Sequence, residues 1–132
     1  MKVLVLFMML FCHIVDDYYL QGVLASMKQR NWWNDKPEQY KSDYLMALVE
    51  HAFSWTFMTL LPIMVYMIYY KHINVIFYII AFVMNWIIHI FTDNAKANKG
   101  AINLIQDQYI HFVQILVTWT NFFIVFVMME VK

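Results

Sequence analysis

The feature that most constrains this chain is a stretch without any charged residue at positions 75–91, which reads VIFYIIAFVMNWIIHIF. A helix needs about 20 largely uncharged residues to cross the hydrocarbon core of a bilayer. Three other stretches of the 132-residue chain approach this pattern, so the predicted spans cover residues 3–24, 44–70, 73–93 and 101–129. A soluble four-helix bundle would show a polar stripe on every helix, and positions 75–91 show almost none. We therefore predict an all-α fold, an integral membrane four-helix bundle that forms a single domain over residues 1–132.

Composition and charge agree with a membrane protein and exclude other classes. Hydrophobic residues make up 63% of the chain and charged residues 14%, whereas about a quarter of the residues of a soluble domain are charged. Nine basic and nine acidic residues cancel, so the chain has no basic field that would hold nucleic acid. Its one cysteine, Cys12, cannot form an intramolecular disulfide. The predicted partner is the lipid bilayer, with no nucleic acid.

The first predicted span differs from a cleaved signal peptide. The apolar run that begins after Lys2 is followed by Asp16, Asp17 and two tyrosines. A signal-peptidase site would need small residues at this point. We expect the segment to remain as a helix of the mature protein.

The polar stretch 28–43 (KQRNWWNDKPEQYKSD) separates the first two spans. Its Trp32, Trp33 and Tyr40 are typical of a membrane interface, and we predict a short interfacial helix here. Six Lys and Arg residues fall in the 28–43 and 94–106 loops, against three on the opposite side. The excess of positive charge predicts an inner (cytoplasmic) membrane protein in which both loops face the cytoplasm and both termini lie on the opposite, outer side of the membrane.

Every predicted span carries polar residues near the same end of the bundle. Residues three or four positions apart lie on one helix face. Four of the five histidines therefore converge with three acids near the cytoplasmic face, while His72 falls in the opposite hairpin. In chain order, the polar residues are His13, Asp17 and Gln21, then His51, then Asn85, His89 and Asp93, then Asp107, His111 and Gln114.

Buried acids in this position need a compensating charge. An Asp at the centre of a spanning helix costs about 2.5–3.5 kcal/mol, and no lysine falls inside a predicted span. We therefore predict a divalent metal site, because imidazole and carboxylate suit zinc, manganese, iron or nickel. The predicted ligands are His13, Asp17, His51, His89, Asp93, Asp107 and His111.

Seven ligands exceed what one tetrahedral ion takes, so the pattern admits one or two ions, and two ions are our hypothesis. Amide side chains nearby would orient the ligands through hydrogen bonds. The predicted orienting residues are Gln21, Asn85, Gln108 and Gln114.

Bound metal supplies the chemistry of hydrolysis, because it lowers the pKa of a coordinated water toward about 7 and polarises phosphoryl oxygens. The sequence therefore favours a membrane-embedded, metal-dependent hydrolase that acts on a lipid or lipid-linked phosphoester at the cytoplasmic interface. No catalytic residue is fixed by a motif, and the candidates are Asp16 and Glu50 as general bases and Lys96 or Lys99 toward a phosphate. Ser54 lies one helical turn from His51 but has no acid placed to complete a triad.

Two other functions fit the same residues. Intramembrane acids and histidines also mark the pathways of proton or metal-ion transporters. A membrane interaction protein of phage type would instead use the polar cluster as a structural staple. A homodimer would suit so small a bundle, although no GxxxG face supports one, and the oligomeric state stays open.

Four polar blocks of the chain carry a family resemblance. The strings HIVDDYYLQ (13–21), HIFTD (89–93) and DQYIH (107–111), with His51 between the first two, resemble small phage and bacterial membrane proteins called domain of unknown function 3307. The family pattern reads roughly H-x3-D-[FY]-x-L-Q, then H, then H-x3-D, then D-Q-x2-H, and Tyr18 stands where phenylalanine is usual. The resemblance covers nearly the whole chain and implies no established activity. The family pattern is similar in style to that of small inner-membrane proteins described as metal-dependent hydrolases, and this similarity is an analogy only.

Overall fold

The computed structural model describes residues 1–130, and these residues form helices and turns without any strand. α1 covers Lys2–Val15 and continues as a π-helical segment, Asp16–Leu20. The short α2 covers Leu24–Met27, and two 3-10 turns follow at Arg30–Trp33 and Glu38–Tyr40. The long helices are α3 (Tyr44–Tyr69), α4 (Val75–Ala97) and α5 (Leu104–Glu130). The predicted all-α fold is thus confirmed.

Four helical stretches are long and apolar enough to cross a membrane, which agrees with the number of predicted spans. They cover Lys2–Leu20, Glu38–Tyr69, Val75–Ala97 and Leu104–Met128. Large apolar side chains also cover the outward faces of the helices, for example Phe7, Ile76, Phe91 and Ile105. A protein whose exposed faces are apolar is compatible with a lipid environment.

The ends of the spans differ from the prediction by a few residues, for local reasons. The first ends at Leu20 because the chain turns at Gly22, whose φ of 48° is costly for any residue with a Cβ. α5 begins at Leu104 because the Asn103 side chain accepts from the backbone N–H of Gln106, and the Gln106 side chain accepts from that of Asn103, each at 2.9 Å. α4 extends past residue 93, which places Lys96 on the helix.

α3 is the central helix, since it packs against α1 and α4 and also contacts α5. The half of the bundle near the α3–α4 hairpin is filled with aromatic rings. The Tyr66 ring meets the Phe126 ring at 5.1 Å and the Phe122 ring at 5.8 Å, both edge to face. This apolar half fixes the helices against each other, and the polar residues lie in the other half.

Where the sequence predicts one short interfacial helix, the structure has a connecting segment (residues 21–43) made of α2 and the two 3-10 turns. It is held to the end of α4 by Asn98, whose side chain accepts from the Arg30 backbone N–H at 2.8 Å and donates to the Lys28 carbonyl at 3.1 Å. The Arg30 guanidinium donates to the Tyr44 hydroxyl at 2.5 Å and lies over its ring. These contacts fix the backbone of Lys28 beside the polar end of the bundle.

We expect Phe126→Ala to lower the free energy of unfolding by about 3–5 kcal/mol, because it opens a cavity in the packed aromatic half. Phe126 is 1% exposed, whereas Phe91 is 67% exposed and serves as the matched control. Phe91→Ala should change the value by less than about 0.5 kcal/mol. Unfolding in mixed micelles measures both, and equal losses would contradict this packing.

Candidate metal centre

All seven predicted ligands lie in one buried layer, to which α1 and its π-helical extension, α3, α4 and α5 contribute. Each pair spaced by four residues is close within its own helix. The nearest nitrogen–oxygen distances are 3.7 Å for His13–Asp17, 3.7 Å for His89–Asp93 and 3.4 Å for Asp107–His111. We call the seven residues the His/Asp cluster, and none is more than 9% exposed: His13, Asp17, His51, His89, Asp93, Asp107 and His111.

The centre of the cluster is formed by His51, His89, Asp93 and His111. The Nε2 atoms of His51 and His89 are 3.1 Å apart, and His51 Nε2 is 3.1 Å from Asp93 Oδ2. The other Asp93 oxygen, Oδ1, lies 3.4 Å from His111 Nε2 and 3.7 Å from His89 Nε2. An ion with ligand bonds of about 2.1 Å places tetrahedral donor atoms about 3.4 Å apart. The distances between neighbouring donor atoms are close to this spacing, and His89, Asp93 and His111 together bring their donor atoms within 4.8 Å of one another.

His111 gives a second indication that this centre fits an ion. It is fully buried, and its ring nitrogens make no hydrogen bond among the described residues, although Nε2 lies 3.4 Å from one oxygen each of Asp93 and Asp107. A buried nitrogen left without a partner costs about 1–3 kcal/mol. An ion bound to Nε2 would satisfy that atom.

Two groups of three residues bring their donor atoms within 4.8 Å of one another and could each hold a metal ion. One group is Asp17, His51 and His89, and the other is His89, Asp93 and His111. His89 belongs to both, and its Nε2 atom is the one that faces the other donors. Because one imidazole nitrogen binds one ion, the two groups cannot both be filled through that atom. The number of ions, one or two, stays a prediction.

His13 lies in the cluster but has no free lone pair. The Trp55 indole N–H donates to His13 Nδ1 at 2.7 Å. An indole nitrogen only donates, so Nδ1 accepts and the hydrogen of the neutral ring is on Nε2. That atom lies 3.0 Å from Gln108 Oε1, which accepts from it. Because both ring nitrogens of His13 take part in hydrogen bonds, this residue lies beside the centre and has no free atom to bind an ion.

Asp107 is held by a lysine and lies outside both metal-binding groups. Lys96 donates to Asp107 Oδ2, while Asp107 Oδ1 is 3.4 Å from His111 Nε2. Asp107 therefore contacts a member of the centre. Its nearest charged partner is an ammonium group on the adjacent helix.

The structure corrects the premise that lysines cannot compensate the buried acids. Lys28 is 6% exposed, and its Nζ lies 2.5 Å from Asp93 Oδ2. Lys96, on the extended end of α4, pairs with Asp107. Two of the three acids thus have ammonium partners, because the connecting segment folds over the bundle and α4 is longer than predicted.

Of the four amides predicted to orient ligands, Gln108 contacts ligand side chains directly. Its Nε2 donates to Asp17 Oδ2 at 3.3 Å and to Asp107 Oδ2 at 3.2 Å. Gln21 donates to the backbone carbonyl of Asp17 instead of the carboxylate. Gln114 donates to the Asn85 carbonyl at 2.8 Å, so these two residues join α5 to α4 one turn away from the histidines.

The predicted catalytic candidates fall in different places. Asp16 is 1% exposed and accepts a hydrogen bond from the Ser54 hydroxyl at 2.6 Å. Its other oxygen, Oδ2, is buried without a hydrogen-bond partner among the described residues. Lys96 is at the rim, where its side chain is 27% exposed. Glu50 and Lys99 are exposed, and Glu50 lies outside the cluster.

Two residues of the site escaped the sequence reasoning. Trp55 is fully buried and stacks on the His89 ring with centroids 4.2 Å apart. Its position four residues after His51 is a helical-spacing signal that could have identified it. Lys28 has no such signal, because its contact with Asp93 joins residues far apart in the chain.

Replacing Lys28 tests how Asp93 is compensated. We expect Lys28→Met to destabilise the metal-free protein by about 3–5 kcal/mol, because it leaves a buried carboxylate without its partner. Zinc or manganese at about 100 times its dissociation constant should restore roughly 2.7 kcal/mol by binding only the folded state. Unfolding in mixed micelles, with and without chelator, measures both effects.

Lys99→Met is the matched control, since Lys99 is exposed, and it should change stability by less than about 0.5 kcal/mol. If added ions stabilised neither the natural sequence nor Lys28→Met, the carboxylates would be held by lysines alone.

Comparison with known proteins supports the family resemblance of the four polar blocks. A search of curated proteins and a search of solved structures each found no match. The family model described as "Protein of unknown function (DUF3307)" matches residues 5–131, nearly the whole chain. The chain therefore belongs to the DUF3307 family.

Proposed function

We propose that the chain is a membrane-embedded, metal-dependent hydrolase that acts on a lipid or lipid-linked phosphoester. One observation carries the proposal: the ring nitrogens of three histidines from three helices converge on Asp93 at 3.1–3.7 Å in a layer closed to solvent. Histidine nitrogens with a carboxylate form the donor set of catalytic zinc and related ions. His51, His89, Asp93 and His111 would hold the ion.

Charge balance supports a single divalent ion. The buried layer contains four carboxylates, Asp16, Asp17, Asp93 and Asp107, and two of them pair with ammonium groups: Asp93 with the buried Lys28, and Asp107 with Lys96 at the rim. With neutral imidazoles and ionised acids, the sum is −4 + 2 = −2. One divalent cation would neutralise the layer, whereas two would leave it positive.

The residues around the centre suit hydrolysis. When bound, the ion would polarise a phosphoryl oxygen and lower the pKa of a coordinated water toward about 7. Asp16 Oδ2, which is buried without a partner among the described residues, would accept a proton. Ser54 holds the other oxygen of that carboxylate. Lys96 would bind the phosphate at the rim, and Gln108 keeps Asp17 and Asp107 in place.

The position of the centre supports a lipid substrate. It lies at the end of the helices next to the connecting segment, where Trp32 and Tyr40 are 46% and 43% exposed. Such aromatic side chains favour the headgroup level of a bilayer. The excess of Lys and Arg in the adjoining loops supports a cytoplasmic location for this end.

A structural role for the cluster is the second candidate, and a specific observation favours it. Lys28 and Lys96 already pair with Asp93 and Asp107, so the polar layer could join the helices without an ion. Transport has less support, because the half beyond the cluster is closed by rings such as Tyr66, Phe122 and Phe126. A transport pathway would need polar groups there.

Metal content decides between the hydrolase and the structural role. We expect the detergent-purified protein to contain about one equivalent of a divalent metal by mass spectrometry, and Asp93→Asn and His111→Gln to lose it. His72→Gln is the matched control, since His72 is exposed in the hairpin between α3 and α4, and it should retain the metal. Protein that stays free of metal after reloading would refute the metal site.

Activity is tested with the metal-loaded protein and a phosphatidic acid in micelles. Phosphate release should fall by about a hundredfold or more in Asp16→Asn, because proton transfer by a positioned base contributes roughly 10²–10⁴-fold. Metal content should be unchanged in this variant. Loss of metal together with activity would mean that Asp16 helps to build the centre and is not the base.

A further inference from the structure

A continuous row of hydrogen bonds crosses the buried layer from α3 to α1 and on to α5. The Trp55 indole N–H donates to His13 Nδ1 at 2.7 Å, and His13 Nε2 lies 3.0 Å from Gln108 Oε1. Gln108 Nε2 then donates to the Oδ2 atoms of Asp17 and Asp107, at 3.3 Å and 3.2 Å. Trp55 and His13 are both fully buried. We call Trp55, His13 and Gln108 the Trp–His–Gln relay.

The direction of every bond in the relay is fixed by its two ends. An indole nitrogen only donates, so the hydrogen of the neutral His13 ring lies on Nε2, and that nitrogen donates to Gln108 Oε1. Ionised carboxylates only accept, so the part of the Gln108 amide that faces Asp17 and Asp107 is its NH₂ group. Both ends therefore require the same orientation of the amide. Turned over, the amide would place a donor against the His13 N–H and its oxygen against two carboxylates.

Gln108 binds the Oδ2 atom of both acids, and the Oδ1 atom of each is left facing the centre. Asp17 Oδ1 lies 3.5 Å from His51 Nε2, and Asp107 Oδ1 lies 3.4 Å from His111 Nε2. Asp107 Oδ1 is buried and makes no hydrogen bond among the described residues. An unpaired buried acceptor costs free energy, and a cation at the centre would reduce that cost.

Without the indole donor, His13 would compete with Gln108 for Asp17. His13 Nδ1 is 3.7 Å from Asp17 Oδ2, the oxygen that accepts from Gln108. A hydrogen on Nδ1 would face that oxygen, and the bare Nε2 would then accept from a Gln108 amide that had turned over. The Trp55 N–H occupies the lone pair of Nδ1 and so prevents both changes.

We propose that Trp55 is a positioning residue of the metal centre: through the relay, it keeps the Oδ1 atoms of Asp17 and Asp107 directed at the histidines. The inference rests on the proposed function, because the two oxygens are positioned for an ion. Hydrogen-bond partners of metal ligands contribute about tenfold to a hundredfold to metal affinity. Trp55 also stacks on the His89 ring, so the test has to separate its N–H from its ring.

Two replacements of Trp55 remove the N–H and keep an aromatic ring. Trp55→Phe is the simpler variant. Benzothienylalanine at the same position keeps both rings with sulfur in place of the N–H, and it replaces Trp55→Phe throughout if that variant does not fold. Nitrogen NMR of the histidine rings in the metal-free protein reports the tautomer of His13. We expect the hydrogen on Nε2 in the natural sequence and, at least in part, on Nδ1 in both variants.

Trp86→Phe is the matched control. It removes an indole N–H that donates to the Val49 carbonyl at 3.0 Å, outside the cluster. The His13 tautomer should be the same in this variant as in the natural sequence.

Zinc binding to the detergent-purified protein, measured by competition with a chromophoric chelator, tests whether the relay acts on the centre. We expect Trp55→Phe and Gln108→Met each to weaken zinc binding by about tenfold or more. Trp86→Phe should leave it within about twofold. Combined with Gln108→Met, Trp55→Phe should add less than about twofold, because its effect passes through the amide that is already missing.

An unchanged His13 tautomer in both Trp55 variants would overturn the inference. Additive losses of zinc affinity in the double variant would also overturn it, because Trp55 would then act by stacking on His89. Equal zinc binding by all variants would leave the metal site and overturn its positioning by Trp55. If the natural sequence bound no zinc, the proposed function would be refuted, whereas a changed tautomer would still support the relay.

Discussion

The architecture of the polar half depends on the burial of one carboxylate, that of Asp93. It is 1% exposed, and a charge removed from water costs several kcal/mol unless partners surround it. Those partners come from three other parts of the chain: Lys28 from the connecting segment, His51 from α3 and His111 from α5. Each part must therefore take a defined position relative to α4. The same arrangement that makes the carboxylate tolerable also creates the donor set for an ion.

Much of the fold and of the site could be predicted because both depend on helical periodicity. The largely uncharged stretches set the number of long helices, and a spacing of four residues places His13 with Asp17, His89 with Asp93 and Asp107 with His111. The prediction that these pairs lie at one depth of the bundle followed from their positions relative to the ends of the predicted spans. No knowledge of side-chain packing was needed to bring them into one layer.

What could not be predicted depends on contacts between distant residues and on single hydrogen bonds. The exclusion of His13 from the centre follows from the tautomer that Trp55 imposes, which no spacing rule contains. Lys28 lies in a polar loop, and only the fold of the connecting segment brings it to Asp93. The ends of the helices could not be predicted accurately either. α4 extends far enough to include Lys96, which pairs with Asp107 and changes the charge balance of the layer.

The two hydrogen bonds made by the Asn98 side chain have a consequence for how the sequence can change. They fix the backbone on both sides of Gln29 to the end of α4, so these contacts do not involve the stretch 34–41. Exposed turns with polar residues are the sites where chains accept insertions and cuts. The stretch from Asn34 to Lys41 is exposed throughout. Changes of length in this stretch would therefore leave the contact between Lys28 and Asp93 in place.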